Sequence, residues 1–119
     1  MQIVKEVCVD SLEDALKAEK NGANRIELCA RLDLDGLTPS RDLISSTFSI
    51  LKIPIRVMIR PKHSSFEYSE DEINTMIDDI EFCKRVGLDG VVFGCLNENS
   101  NFHINQINRL SKISKPLNV

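Results

Sequence analysis

Arg25-Ile26-Glu27-Leu28-Cys29 alternates polar and apolar side chains and ends on a thiol. Alternate residues of a strand share a face. Arg25, Glu27 and Cys29 therefore point one way, and Ile26 and Leu28 the other. An earlier run, Lys5-Glu6-Val7-Cys8-Val9, carries the same Glu-x-Cys unit. There Glu6 and Cys8 share a face, opposite Val7 and Val9. If the two strands are parallel neighbours in register, their thiols lie about 5 Å apart, the spacing of adjacent strands.

Outward from this pair the chain alternates strands and helices. Ile3 to Val9 reads as the first strand, rich in β-branched residues. Ser11 with Asp14 reads as a helix start, and Gly22 as its stop. After strand two, Arg31 to Gly36 is a polar loop. Thr38-Pro39 then suits the opening of a second helix, with Thr38 as N-cap and Pro39 at the first helical position. Ile55 to Ile59 is strand three, with Arg56, Met58 and Arg60 on one face. Ser69-Glu70-Asp71-Glu72 is a capping box for a third helix, whose apolar side includes Ile73, Met76, Ile80 and Cys83. Gly90 to Gly94 is a near-continuous apolar strand, suited to burial on both faces. Ile104, Ile107, Leu110 and Ile113 mark a fourth helix, and Lys115 to Val119 the start of a fifth strand.

This α/β alternation gives a parallel sheet covered by helices. Its closures are an eight-stranded barrel or an open doubly wound sheet. No GxGxxG or P-loop follows strand one, so a nucleotide-binding sheet lacks its signature. Polar residues at the strand ends suit a barrel, whose active end lies there. A whole barrel takes about 250 residues, and this chain has 119. The reading is therefore one partial domain, residues 1–119, holding the N-terminal half of a TIM-type barrel: four βα units and the start of strand five.

Composition narrows the partners. A net charge of −3, with basic residues scattered, argues against nucleic acid. No apolar stretch approaches the roughly 18 residues of a membrane helix, and the charged first run is no signal peptide. The expectation is a cytoplasmic protein with no membrane partner. Its four cysteines, Cys8, Cys29, Cys83 and Cys95, include no CxxC. Free thiols are the default in that compartment.

Several ordered segments together carry a resemblance over the whole chain. They are Glu6-Val7-Cys8, Gly22-Ala23-Asn24-Arg25-Ile26-Glu27-Leu28-Cys29, Gly36-Leu37-Thr38-Pro39-Ser40, Ile59-Arg60-Pro61, Phe66 with Tyr68-Ser69, and Gly90-Val91-Val92-Phe93-Gly94. The sequence resembles the CutC family, the proteins named for copper homeostasis. The resemblance implies a TIM-type barrel with a pocket at the strand C-termini, a homo-oligomer and a cytoplasmic home. In animal members, copper(I) binding is attributed to the cysteines matching Cys8 and Cys29. Two segments depart from the family. Its usual Arg-Gly-Gly-Asp-Phe is Lys62-His63-Ser64-Ser65-Phe66 here, and the first Gly of its Gly-Gly-Leu-Thr-Pro-Ser is Asp35. Members also continue through strand five to a His-bearing motif, so the chain is expected to be a truncated member or a fragment.

Three readings of the site follow. In the first, Cys8 and Cys29 bind Cu(I), a soft ion that two thiolates suit. The bland counterpart is a pair of small buried hydrophobes, and a disulfide is disfavoured by compartment. In the second, Arg60 holds an anionic substrate while Glu6 or Glu27 serves as acid or base, with the helix start at Thr38 adding backbone donors. Its bland counterpart is a mutually satisfied charge network of Glu6, Arg25, Glu27 and Arg60. In the third, the half-barrel is a non-functional remnant, with open edges and an uncovered charged interior. His63 reads as an exposed loop residue near the pocket mouth, and His103 is assigned no role. Cys83 reads as core. Cys95 ends strand four, where it could stand as a third thiol near the pocket, but the family pattern does not call for one. Phe66 and Tyr68 are expected to cover the barrel mouth.

Overall fold

The computed structural model describes residues 2–119. Four strands, β1 (Glu6–Val9), β2 (Arg25–Leu28), β3 (Ile55–Met58) and β4 (Gly90–Val92), form one parallel sheet in sequential order. Helices α1 (Leu12–Lys20), α2 (Arg41–Ile50), α3 (Glu70–Val86) and α4 (Ile104–Ser114) follow them in turn. Right-handed crossovers between sequential parallel strands place every helix on the same face. Each helix packs against the next. This is the arrangement of consecutive units of a (β/α) barrel.

The core lies between sheet and helices. Val9, Ile26, Leu28, Ile55, Val57, Ile59 and Val91 supply the sheet side, and Ala15, Ile44, Ile73, Met76, Ile80, Cys83 and Leu110 the helix side. All are buried because each falls on the helix-facing parity of its strand or on the inward stripe of its helix. Cys83 is core, as its helical spacing implies.

Strand one is shorter than its apolar run. Ile3 and Val4 lie exposed ahead of it, because pairing begins only where β2 starts: Asn24 and Arg25 donate to the Lys5 carbonyl. The fifth-strand expectation holds in outline. Asn118 pairs with Gly90, accepting from Val91 N–H and donating to the Asp89 carbonyl.

The second helix does not open at Thr38. Its N-cap is Ser40, whose Oγ accepts from Leu43 N–H, and the helix runs from Arg41. Thr38 instead ties its loop to the chain just after β3. Its N–H donates to the Arg60 carbonyl, and its Oγ1 accepts from Arg60 N–H. The backbone donors sought there for an anion are therefore elsewhere. The other starts stand as read: Ser11 caps α1 through Asp14 N–H, and Ser69 with Glu72 closes a capping box on α3. His103 gains a role, since its Nδ1 accepts from Gln106 N–H at the start of α4.

The departures from the family pattern are absorbed in different ways. Asp35 takes the left-handed conformation itself, at φ 65°, which Asp tolerates better than most residues. In the Lys62–Phe66 segment, no residue has positive φ.

Candidate metal-binding face

The sheet face away from the helices carries the alternate residues: Glu6 and Cys8 from β1, Arg25, Glu27 and Cys29 at β2, Arg56 and Met58 from β3. The register pairs Glu6 with Arg25, Cys8 with Glu27, and Glu27 with Arg56. Cys8 and Cys29 therefore do not stand directly opposite each other. They are offset by two residues, roughly 7 Å along the strand, and the expected 5 Å juxtaposition gives way to a diagonal one. Glu27 fills the position between them.

That carboxylate is the hub of the face. Cys8 Sγ lies 3.6 Å from Glu27 Oε2, and Cys29 Sγ lies 3.8 Å from Oε1. Each thiol donates to a different oxygen of one carboxyl group. Burial pushes the Glu27 carboxyl above the usual range, and neighbouring Glu6 pushes it further, while the two thiols pull it back. The thiols respond in kind. Partial burial raises Cys8, with the Glu27 charge adding to it. Cys29, only 1% exposed, is pushed up to about 12 by burial first, then by Glu27 and Cys8. Both therefore carry their protons at neutral pH.

The loop after β2 seals Cys29 from above. A Cβ added at Gly36 would lie 3.3 Å from Cys29 Sγ, and Gly36 holds φ +95°. Glycine is needed there twice over, for the close approach and for the left-handed backbone. Asp10 holds the same loop through Leu32 N–H.

Of the anticipated network of Glu6, Arg25, Glu27 and Arg60, only one ion pair forms, and a second pair forms outside it. Glu6 pairs with Arg25. Arg56 Nε pairs with Asp89 Oδ2 at 3.0 Å, and Asp89 lies just before β4, where residue alternation gave no hint of it. Arg60 joins neither pair. It is 8% exposed, and its guanidinium donates to the carbonyls of Leu34, Gly36 and His63. It also stacks over the Phe66 ring at 4.5 Å. Its Nε–H has no partner among the described residues. Arg60 thus ties the loops after β2 and β3 together across the strand ends. Tyr68 is buried in the core cluster, with its hydroxyl pushed up to about 12 by burial foremost, and Phe66 remains partly exposed.

Cys95 does not join the thiol pair. It falls on the helix-facing parity after β4, fully buried in the core, and burial raises it to about 11. His63 is exposed and contributes only its carbonyl. All four cysteines are free. Among the described residues, no group of three or more His, Cys, Asp or Glu is arranged to hold a metal ion. Among the described residues, no helix is long and apolar enough to cross a membrane.

The model of the CutC family matches residues 3–119. The chain belongs to the CutC family. Among curated relatives, the human copper homeostasis protein cutC homolog is 45% identical over 114 residues, covering 96% of this chain and 42% of that protein. A CutC family protein of Aliivibrio fischeri is 46% identical over 114 residues, with 96% and 46% covered. One from Parabacteroides distasonis is 40% identical over 120 residues, with 100% and 49% covered. The chain thus spans about half the length of the curated CutC relatives it matches. Its fold is similar to the crystal structure of a CutC protein from Streptococcus agalactiae, with a TM-score of 0.91, 31% identity, and 98% of this chain and 57% of that one covered. The four βα units thus correspond to about half of a CutC TIM-type barrel.

Proposed function

We propose that this CutC chain binds copper(I) through Cys8 and Cys29 in a homeostatic or buffering role. The supporting observation is the convergence of both thiols, from adjacent strands, on the two oxygens of Glu27. Soft sulfur donors favour Cu(I) over harder ions. The residues fit a cargo ion of that kind: they are free thiols on the helix-free face, one exposed and one buried. Binding has to release the thiol protons, so affinity rises with pH. A reducing cytoplasm would keep both thiols available.

The human relative is named for copper homeostasis, and the reading extends that role to this chain. Self-association accompanies it. The β1 edge has no strand beside it among the described residues, and Ile3, Val4 and Val7 are exposed along it. Open edges of this kind recruit further strands.

The test is titration of the reduced chain with Cu(I) against a chromophoric chelator. One ion per chain is expected, and its loss in the Cys8→Ser, Cys29→Ser double variant. Unchanged affinity in that variant removes the reading.

The enzyme reading keeps one supporting observation, the raised Glu27 carboxyl, which suits a general acid. Arg60 supports it less, because its donors already serve three carbonyls. Anion-dependent stabilisation that disappears in Arg60→Ala would favour it over copper.

A further inference from the structure

We propose that Met58 supplies a third, thioether sulfur to the copper(I) site of Cys8 and Cys29, an inference that rests on the copper reading above. Three neighbouring strands each bring one sulfur to the same face. The β2–β3 register pairs Glu27 with Arg56 and Leu28 with Val57. One step further along that register, Met58 stands opposite Cys29 on the helix-free side, a strand spacing of about 4.8 Å away.

Gly36 supplies independent support. A Cβ at this glycine would lie 3.3 Å from Cys29 Sγ and 3.8 Å from Met58 Cε. The tips of both sulfur-bearing side chains therefore lie against one point of the covering loop. Met58 is only partly buried, whereas Met76 is fully buried in the core under the helices. A methionine used only as filler needs no place on the open face.

The chemistry suits the surroundings. A thioether is a soft donor like a thiolate, and Cu(I) accepts both. It has no proton to lose, so its coordination carries no deprotonation cost. It also adds no negative charge to a face that already holds Glu6 and Glu27. A third thiolate would place another anion beside those carboxylates, which partly buried charge resists.

The test uses the full 119-residue chain grown with selenomethionine and loaded with one equivalent of Cu(I) under reducing conditions. X-ray absorption at the copper edge is expected to show a selenium neighbour beside the sulfurs. That neighbour should vanish in Met58→Leu, a swap of similar volume whose fold is checked by its thermal melt. The same variant should bind Cu(I) about tenfold more weakly or worse, a scale on which even outer-sphere partners register. A copper site that is lost in Cys8→Ser, Cys29→Ser but shows no selenium neighbour overturns the inference and leaves the copper reading standing. A selenium neighbour that persists in Met58→Leu also overturns it. Copper held equally well by the double-serine variant overturns both.

Discussion

The two faces of this sheet are built from alternating residues of the same strands, yet they obey different rules. Toward the helices, Val9, Ile26, Leu28, Ile55, Val57, Ile59 and Val91 leave at most 4% of their surface exposed. On the other face, Glu6, Cys8, Arg25, Glu27, Arg56 and Met58 stay at least partly open, and the polar groups are held by bonds among themselves or, for Arg56, by Asp89. Apolar burial scales with area removed from water, so the helix side carries the stability. The other side holds its charges in pairs, where net gains are small, and is left available for chemistry. Exchanging Leu28 for Cys29 as the target of a substitution moves by one residue and crosses from one regime to the other.

The largest expected effect lies on the helix side. Leu28→Ala should lower unfolding stability by about 2–5 kcal/mol, the range for truncating a fully buried leucine. Urea denaturation measures it, and a loss under about 1 kcal/mol would mean the two faces share the load more evenly than burial implies.

A middle-sized effect is expected at the Arg56–Asp89 pair, whose side chains are 22% and 30% exposed. Arg56→Leu should cost about 1–2 kcal/mol, between values for exposed pairs and for buried pairs broken on one side. Added salt should weaken the wild type more than the variant if screening reaches the pair.

The smallest stability effect belongs to Cys8. As an exposed residue, Cys8→Ser should stay within about 0.5 kcal/mol of wild type, and the thiol itself provides a sharper probe. Iodoacetamide should modify Cys8 alone in the native chain, because Cys29, Cys83 and Cys95 are buried. The Cys8 thiol lies above its ordinary 9.0, and only the thiolate reacts. Its alkylation rate should therefore keep climbing as pH rises past 9, beyond the point where a free cysteine levels off. Mass spectrometry after timed quenching follows it. Equal labelling of Cys29 would show that the loop carrying Gly36 opens readily.

Much of this was written locally in the chain. The period-two alternation in Arg25-Ile26-Glu27-Leu28-Cys29 assigns each side chain to a face, because pleating leaves no other option. The caps at Ser11 and Ser69 act over three residues, so their spacing alone reveals them. Cys83 follows from helical period in the same way. These features depend on neighbours in sequence, and a linear reading reaches them.

What depended on partners distant in sequence had to await the folded chain. The Cys8–Glu27 register follows from where strands one and two first meet, at Lys5 and Asn24, and it turned a side-by-side thiol pair into a diagonal one bridged by a carboxylate. Thr38 looked like a helix cap until Arg60, 22 residues on, claimed its hydroxyl. Asp89 found Arg56, Arg60 found three carbonyls, and Met58 came to lie with Cys29 against Gly36. Periodicity says which way a side chain points, but strand register and loop closure decide what it meets, and both are set by the summed packing of the whole core.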